Sequence, residues 1–131
     1  MGTGMAWDCS MGVLCDFGHG NNHYKAAGGL TQGTGHQMGF GILFHYDGDD
    51  VYEGYGQGYA PTGISYHPMP ACGGNFGFLI DYGGKDKYGC GAENNSYIQR
   101  GDAGGFLIDR PRQDEVGPTA TAPTPHTTAG S

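Results

Sequence analysis

Apolar residues along this chain come in bursts of three, each opened by Gly and closed by a polar residue. Gly12-Val-Leu-Cys-Asp16, Gly41-Ile-Leu-Phe-His45, Gly77-Phe-Leu-Ile-Asp81 and Gly105-Phe-Leu-Ile-Asp109 share one phrase. Runs this short, rich in β-formers and bounded by Gly, read as buried strands. Nothing in the chain shows helical periodicity over ten residues. Each strand is followed by a turn and then a recurring end: Asn22-His-Tyr24, Asp50-Val-Tyr52, Asp86-Lys-Tyr88, and weakly Asp114-Glu-Val116. A second element follows at variable distance, in Gln32-Gly-Thr-Gly35, Gln57-Gly-Tyr-Ala60 and Gln99-Arg-Gly-Asp-Ala103.

The four phrases start 29, 36 and 28 residues apart. Self-similarity at such a period signals stacked repeats. The expected fold is therefore all-β, a β-solenoid of about 28–36-residue repeats with Gly-rich turns. Its domain would span 1–116, with repeats near 12–40, 41–76, 77–104 and 105–116. Equivalent residues would stack about 4.8 Å apart. Leu14, Leu43, Leu79 and Leu107 would form a core ladder, and Tyr24, Tyr52 and Tyr88 an aromatic one. Residues 117–131, rich in Pro and Thr, would be a flexible tail or linker. The second repeat carries an insertion, Pro61 to Cys72, in which Tyr66 and His67 are binding candidates.

Composition sharpens this reading. Gly makes up 28 of 131 residues, and the formal net charge is −7. That balance gives no footprint for nucleic acid, and small cations are the natural partners. No apolar run approaches the roughly 20 residues that insert across a bilayer. The four cysteines Cys9, Cys15, Cys72 and Cys90 form no Cys-x-x-Cys pair, which disfavours zinc ribbons. Cys15 reads as a buried core residue, and Cys72 and Cys90 as disulfide candidates in an oxidising compartment.

Two polar ladders follow from the alignment. One is Asp16, His45, Asp81 and Asp109, and the other Asn22, Asp50, Asp86 and Asp114. The bland expectation is that they cap turn N–H groups. The sharper one is calcium, with Asp47, Asp49, Asp50, Asp81 and Asp86 as candidate ligands, because calcium takes carboxylate and turn oxygens. Asp47-Gly-Asp-Asp50 starts like an EF-hand loop but has Val51 and Tyr52 where that loop needs a ligand and Gly. His19 and His23 lie four apart in a Gly/Asn-rich stretch, so no helix aligns them on a metal.

Gly83-Gly-Lys-Asp86 and Asp47-Gly-Asp-Asp50 resemble part of the Gly-Gly-x-Gly-x-Asp calcium repeats of secreted bacterial proteins. Over residues 2–110 the chain more closely resembles uncharacterised bacterial surface or secreted proteins built of Gly-x-Leu-x-Asp-x-Gly-Gly-x-Asp-x-Tyr units. The resemblance implies a location outside the cytoplasm, extracellular or at the cell surface, and names no activity. No nucleophile elbow, phosphate loop or dinucleotide fingerprint is present. The expected function is thus non-enzymatic: a structural or interaction protein that associates end to end, as a filament or a segment of a longer array. The alternatives are a calcium-stabilised secreted module, and a module that binds or cleaves polysaccharide.

Overall fold

The computed structural model describes residues 3–62, 75–112 and 114. Ten strands run in the order β1 (Ala6–Trp7), β2 (Met11–Asp16), β3 (His23–Tyr24), β4 (Gly35–His36), β5 (Phe40–His45), β6 (Val51–Tyr52), β7 (Phe76–Tyr82), β8 (Lys87–Tyr88), β9 (Tyr97–Gln99) and β10 (Gly104–Arg110). The repeated phrase forms β2, β5, β7 and β10. These pair in parallel and in register, with Leu14 on Leu43, Leu43 on Leu79, and Leu79 on Leu107. The short β3, β6 and β8 pair likewise, which stacks Tyr24 on Tyr52 and Tyr52 on Tyr88 with ring centroids 4.8 and 5.1 Å apart.

The expected β-solenoid is corrected. The all-β content stands, and no helix occurs among the described residues. The strands, however, form three unequal sheets of two, five and three strands, ordered β1-β4, β2-β5-β7-β10-β9 and β3-β6-β8. The widest is mixed, because β9 runs antiparallel to β10. The cause is local. Only the phrase and the short Tyr strands repeat faithfully. The Gln-Gly elements are mostly bends, so β4 finds a sheet partner only in β1. Residues 90–99 fold back instead of continuing the period. The binding candidates Tyr66 and His67, together with Cys72 and residues 117–131, lie outside the described residues.

The core sits between the Leu face of the five-stranded sheet and the Tyr stack. Leu43, Leu79 and Leu107 are wholly buried, and Tyr52 and Tyr88 close over them. Alternation along each strand turns Gly, Leu and the terminal Asp or His inward. Gly is required at the inward positions because another chain segment crosses there. A Cβ at Gly41 would lie 2.1 Å from the carbonyl oxygen of Thr34. The crossing segment needs Gly as well: Gly58 has φ +59°, and its Cβ would meet the Phe106 carbonyl oxygen at 2.0 Å.

Outward positions carry Phe40, Ile42, Phe44, Phe78, Ile80, Phe106 and Ile108, all half-buried, so both faces of the sheet are apolar. Cys15 belongs to this outer set and is exposed, contrary to the core position expected of it. Its neighbour in register is Phe44, an outward residue.

Truncating Leu79 to Ala should destabilise the fold by roughly 2–5 kcal/mol, as buried Leu deletions do. Lys87→Ala, on an exposed position of β8, should be near neutral. Denaturant unfolding of both variants checks this, and equal effects would refute the inward placement of the Leu ladder.

Candidate functional site

Register places like residues above one another, and for the polar positions this builds a column of acids inside the protein. Asp16, His45, Asp81 and Asp109 align at the strand ends. After the turn come Asn22, Asp50 and Asp86. Asp50 and Asp81 are 0% exposed, Asp109 3% and Asp86 7%. None of the six Lys and Arg side chains is buried with them.

One oxygen of each turn residue caps a backbone N–H of the preceding level. Asn22 N–H donates to Asp50 Oδ1 at 2.6 Å, and Asp50 N–H to Asp86 Oδ1 at 2.8 Å. Asp86 N–H donates to Asn94 Oδ1. Asn94 thus stands where the alignment put Asp114, which instead pairs with Arg112 at 2.9 Å. Asn95 N–H donates to Asp109 Oδ2 at 2.8 Å.

The second oxygens face the column. Tyr52 donates its hydroxyl to Asp81 Oδ2 at 2.7 Å. Asp81 Oδ1 and Asp86 Oδ2 are buried without a hydrogen-bond donor. The densest point is His45, wholly buried. Its Nδ1 lies against Asp50 Oδ2 and 3.6 Å from Asp81 Oδ1. Its Nε2 is 2.9 Å from the Asn22 amide nitrogen, which also lies 3.3 Å from Asp16 Oδ2. With the amide donating to Nε2, the imidazole carries its hydrogen on Nδ1, toward Asp50.

Burial dominates the electrostatics, because removing a carboxylate from water disfavours its charge. Asp81 is pushed up to about 8 by desolvation, with the Asp86 and Asp50 charges adding to it. Asp86 is pushed up to about 7 by the same cause and by Asp109. Asp50 also rises through desolvation. Tyr52 and Tyr88, buried beside these acids, are raised as well.

Of the five candidate ligands, the structure brings Asp50 and Asp81 together around His45, with Asp86 next along the column. Asp47 and Asp49 stand apart on the turn surface. Asp47 pairs with His19 at 2.6 Å and with Arg112, and the His19 hydrogen bond holds its carboxyl low. Asp49 accepts from the Lys85 N–H at 2.8 Å. His23 pairs with Glu53, so the two loop histidines serve different carboxylates. Two neutral residues join the interior through the register: Gln32 and Gln57 are wholly buried, and Gln57 donates its amide to Gln32.

The column comes to the surface at one end. Leu14, Asp16, Asn22 and Tyr24 are the first members of ladders that are buried further in, and all four are half-exposed. β1, β2 and β3 are each the outermost strand of their sheet there. At the other end β9 covers β10, and Tyr97 stacks on Phe106 at 5.8 Å. The carbonyls of Ser10 and Asp16 accept from Phe40 and Tyr46 N–H groups on the β5 side. Parallel pairing alternates direction residue by residue, so the N–H and C=O groups of Met11, Val13 and Cys15 point away from the sheet.

No known protein family, curated protein or solved structure matches the chain.

The raised acids have a consequence for stability. The native state holds protons on Asp81 and Asp86 that the unfolded chain releases near the ordinary carboxylate value of 3.8. The unfolded state therefore binds fewer protons between about pH 4 and 8, and stability falls as pH rises through that window. In the presence of chelator, the melting temperature should be highest near pH 4–5 and decline toward pH 8. Asp81→Asn should flatten the decline. A melting temperature that climbs steadily from pH 4 to 8 would contradict the buried column.

Proposed function

We propose that this is a non-enzymatic interaction module that recruits a second copy of itself by strand pairing along β2. The observation that carries the reading is the interrupted ladder: β2 presents a row of outward N–H and C=O groups beside half-exposed Leu14 and Tyr24. Such an edge templates another strand unless something blocks it. Met11 and Val13 on the same strand are strongly exposed and apolar, at 72% and 53%. No Pro and no Lys interrupts β2.

The opposite edge is occupied by β9, which favours two copies meeting edge to edge over an open head-to-tail filament. A two-fold axis through Val13 sets β2 antiparallel to its equivalent. Val13 then opposes Val13, Met11 opposes Cys15, and Asp16 opposes Ser10 rather than another acid. The buried acids serve this reading as internal structure. One oxygen each of Asp50 and Asp86 caps a turn N–H, and the acids are shielded from solvent, which does not suit a catalytic pair.

A second mode rests on the apolar outer face of the five-stranded sheet. Parallel sheets are usually covered on both faces. Phe76 and Val13 on this face are 44% and 53% exposed. Contiguous apolar surface of this kind marks an interaction site.

Sedimentation velocity over a range of concentrations tests the proposal. The wild type should pass from monomer to dimer. Val13→Pro removes an outward donor and leaves the β5 pairing intact, so it should stay monomeric with a little-changed melting temperature. Phe76→Lys should leave the dimer in place. Loss of association in Phe76→Lys but not in Val13→Pro would move the interface to the outer face. A wild-type monomer at every concentration would refute both modes.

A further inference from the structure

We infer that His45, Asp50 and Asp81 form a buried binding site for one borderline divalent cation of the zinc class. Each residue offers one ligand atom, and these atoms all lie within 4.8 Å of one another. All three side chains are wholly buried. The donor set is one imidazole nitrogen and two carboxylate oxygens. Asp81 Oδ1 points into the cluster with no hydrogen-bond donor on it, an arrangement that costs free energy unless a cation or proton meets it.

Three features set the class of ion. The imidazole is held for ligation: the Asn22 amide occupies Nε2, which leaves Nδ1 facing both carboxylates. A metal there displaces the Nδ1 hydrogen, which moves to Nε2 as the Asn22 side chain turns its amide oxygen to accept it, and any proton on the two carboxyls leaves to solvent. The charges balance, since two carboxylates neutralise a dication where no Lys or Arg is available. The ligand number is small and one donor is nitrogen, which suits zinc-like ions with bonds near 2.0–2.2 Å. Calcium wants six to eight oxygens. Tyr52 then acts as an orienting residue, because its hydroxyl holds the other Asp81 oxygen, as partners behind a ligand commonly do. This site lies inside the fold, one strand in from β2, with its ligands on β5, β7 and the turn before β6, and it stands or falls apart from the dimer proposal.

The purified full chain, dialysed against chelator, is titrated with zinc chloride, cobalt chloride and calcium chloride in separate calorimetry runs. Zinc and cobalt should bind at one equivalent per chain and raise the melting temperature, while calcium does neither. Bound cobalt should show visible absorption of a nitrogen–oxygen site with no thiolate charge-transfer band. His45→Gln and Asp81→Asn should abolish the stoichiometric binding. His23→Gln, on the surface pair with Glu53, should retain it. Because Asn keeps the size and shape of the buried Asp81 side chain, that variant is expected to fold, as circular dichroism can establish. His45→Gln binding the metal as the wild type does would place the ion elsewhere and overturn the site. So would the absence of one-equivalent binding in the wild type, or a response to calcium in place of zinc.

Discussion

Pairing a strand with its own repeat, in parallel and in register, forces like residues into contact, and everything else in this protein answers to that constraint. For Leu and Tyr the result is favourable. Identical apolar side chains fill one continuous core, and the phenol rings stack at 4.8–5.1 Å. For Asp the same geometry is a liability, since like charges come within a few ångströms of each other in a medium of low dielectric. The chain tempers this by varying the residue at the polar positions. Neutral Asn22 opens one ladder and neutral Asn94 ends it, while His45 interrupts the other between Asp16 and Asp81. Tyrosine hydroxyls donate into the column. Burial, with the remaining excess of negative charge adding to it, is what raises Asp81 and Asp86.

The same constraint explains the glycines. Close stacking leaves no room where the Gln-Gly segments cross the strands, and a single Cβ at Gly41 or Gly58 would drive carbon into a carbonyl oxygen. Glycine here buys proximity more than turning freedom. That proximity in turn dries the interior around Gln32 and Gln57, whose amides satisfy one another and nearby carbonyls.

Much of this was legible in the chain. The four strands and the Leu and Tyr ladders follow from a local phrase, and register follows once the phrase is repeated. The regular coil was not legible, because it extrapolated a period that residues 90–99 do not keep. The short alternation at Tyr97-Ile-Gln99 is the sign of the returning strand, but three residues give weak periodicity. At the site, Asp50, Asp81 and Asp86 could be read from alignment. Asp47 and Asp49 could not be separated from them, since adjacent turn positions differ only in direction. His45 looked like a departure from an Asp pattern, whereas it is the group around which two acids gather. Asn94 was hidden inside an Asn-x-Ser triplet. Its amide oxygen takes the Asp86 N–H, and its nitrogen reaches the Gly84 carbonyl at 3.2 Å.

The chain of turn caps runs in one direction. Asn22 leans on Asp50, Asp50 on Asp86, and Asp86 on Asn94, so each level is finished by a residue that lies later in the sequence. During synthesis, then, no level closes as it leaves the ribosome. Each waits for the next 8 to 36 residues to appear, and the nascent segment carries open backbone donors until Asn94 and β10 have emerged. Chains usually gain order as they lengthen from the N-terminus. Within these levels the order runs the other way, since the Asn22 N–H is capped only once Asp50 has been made.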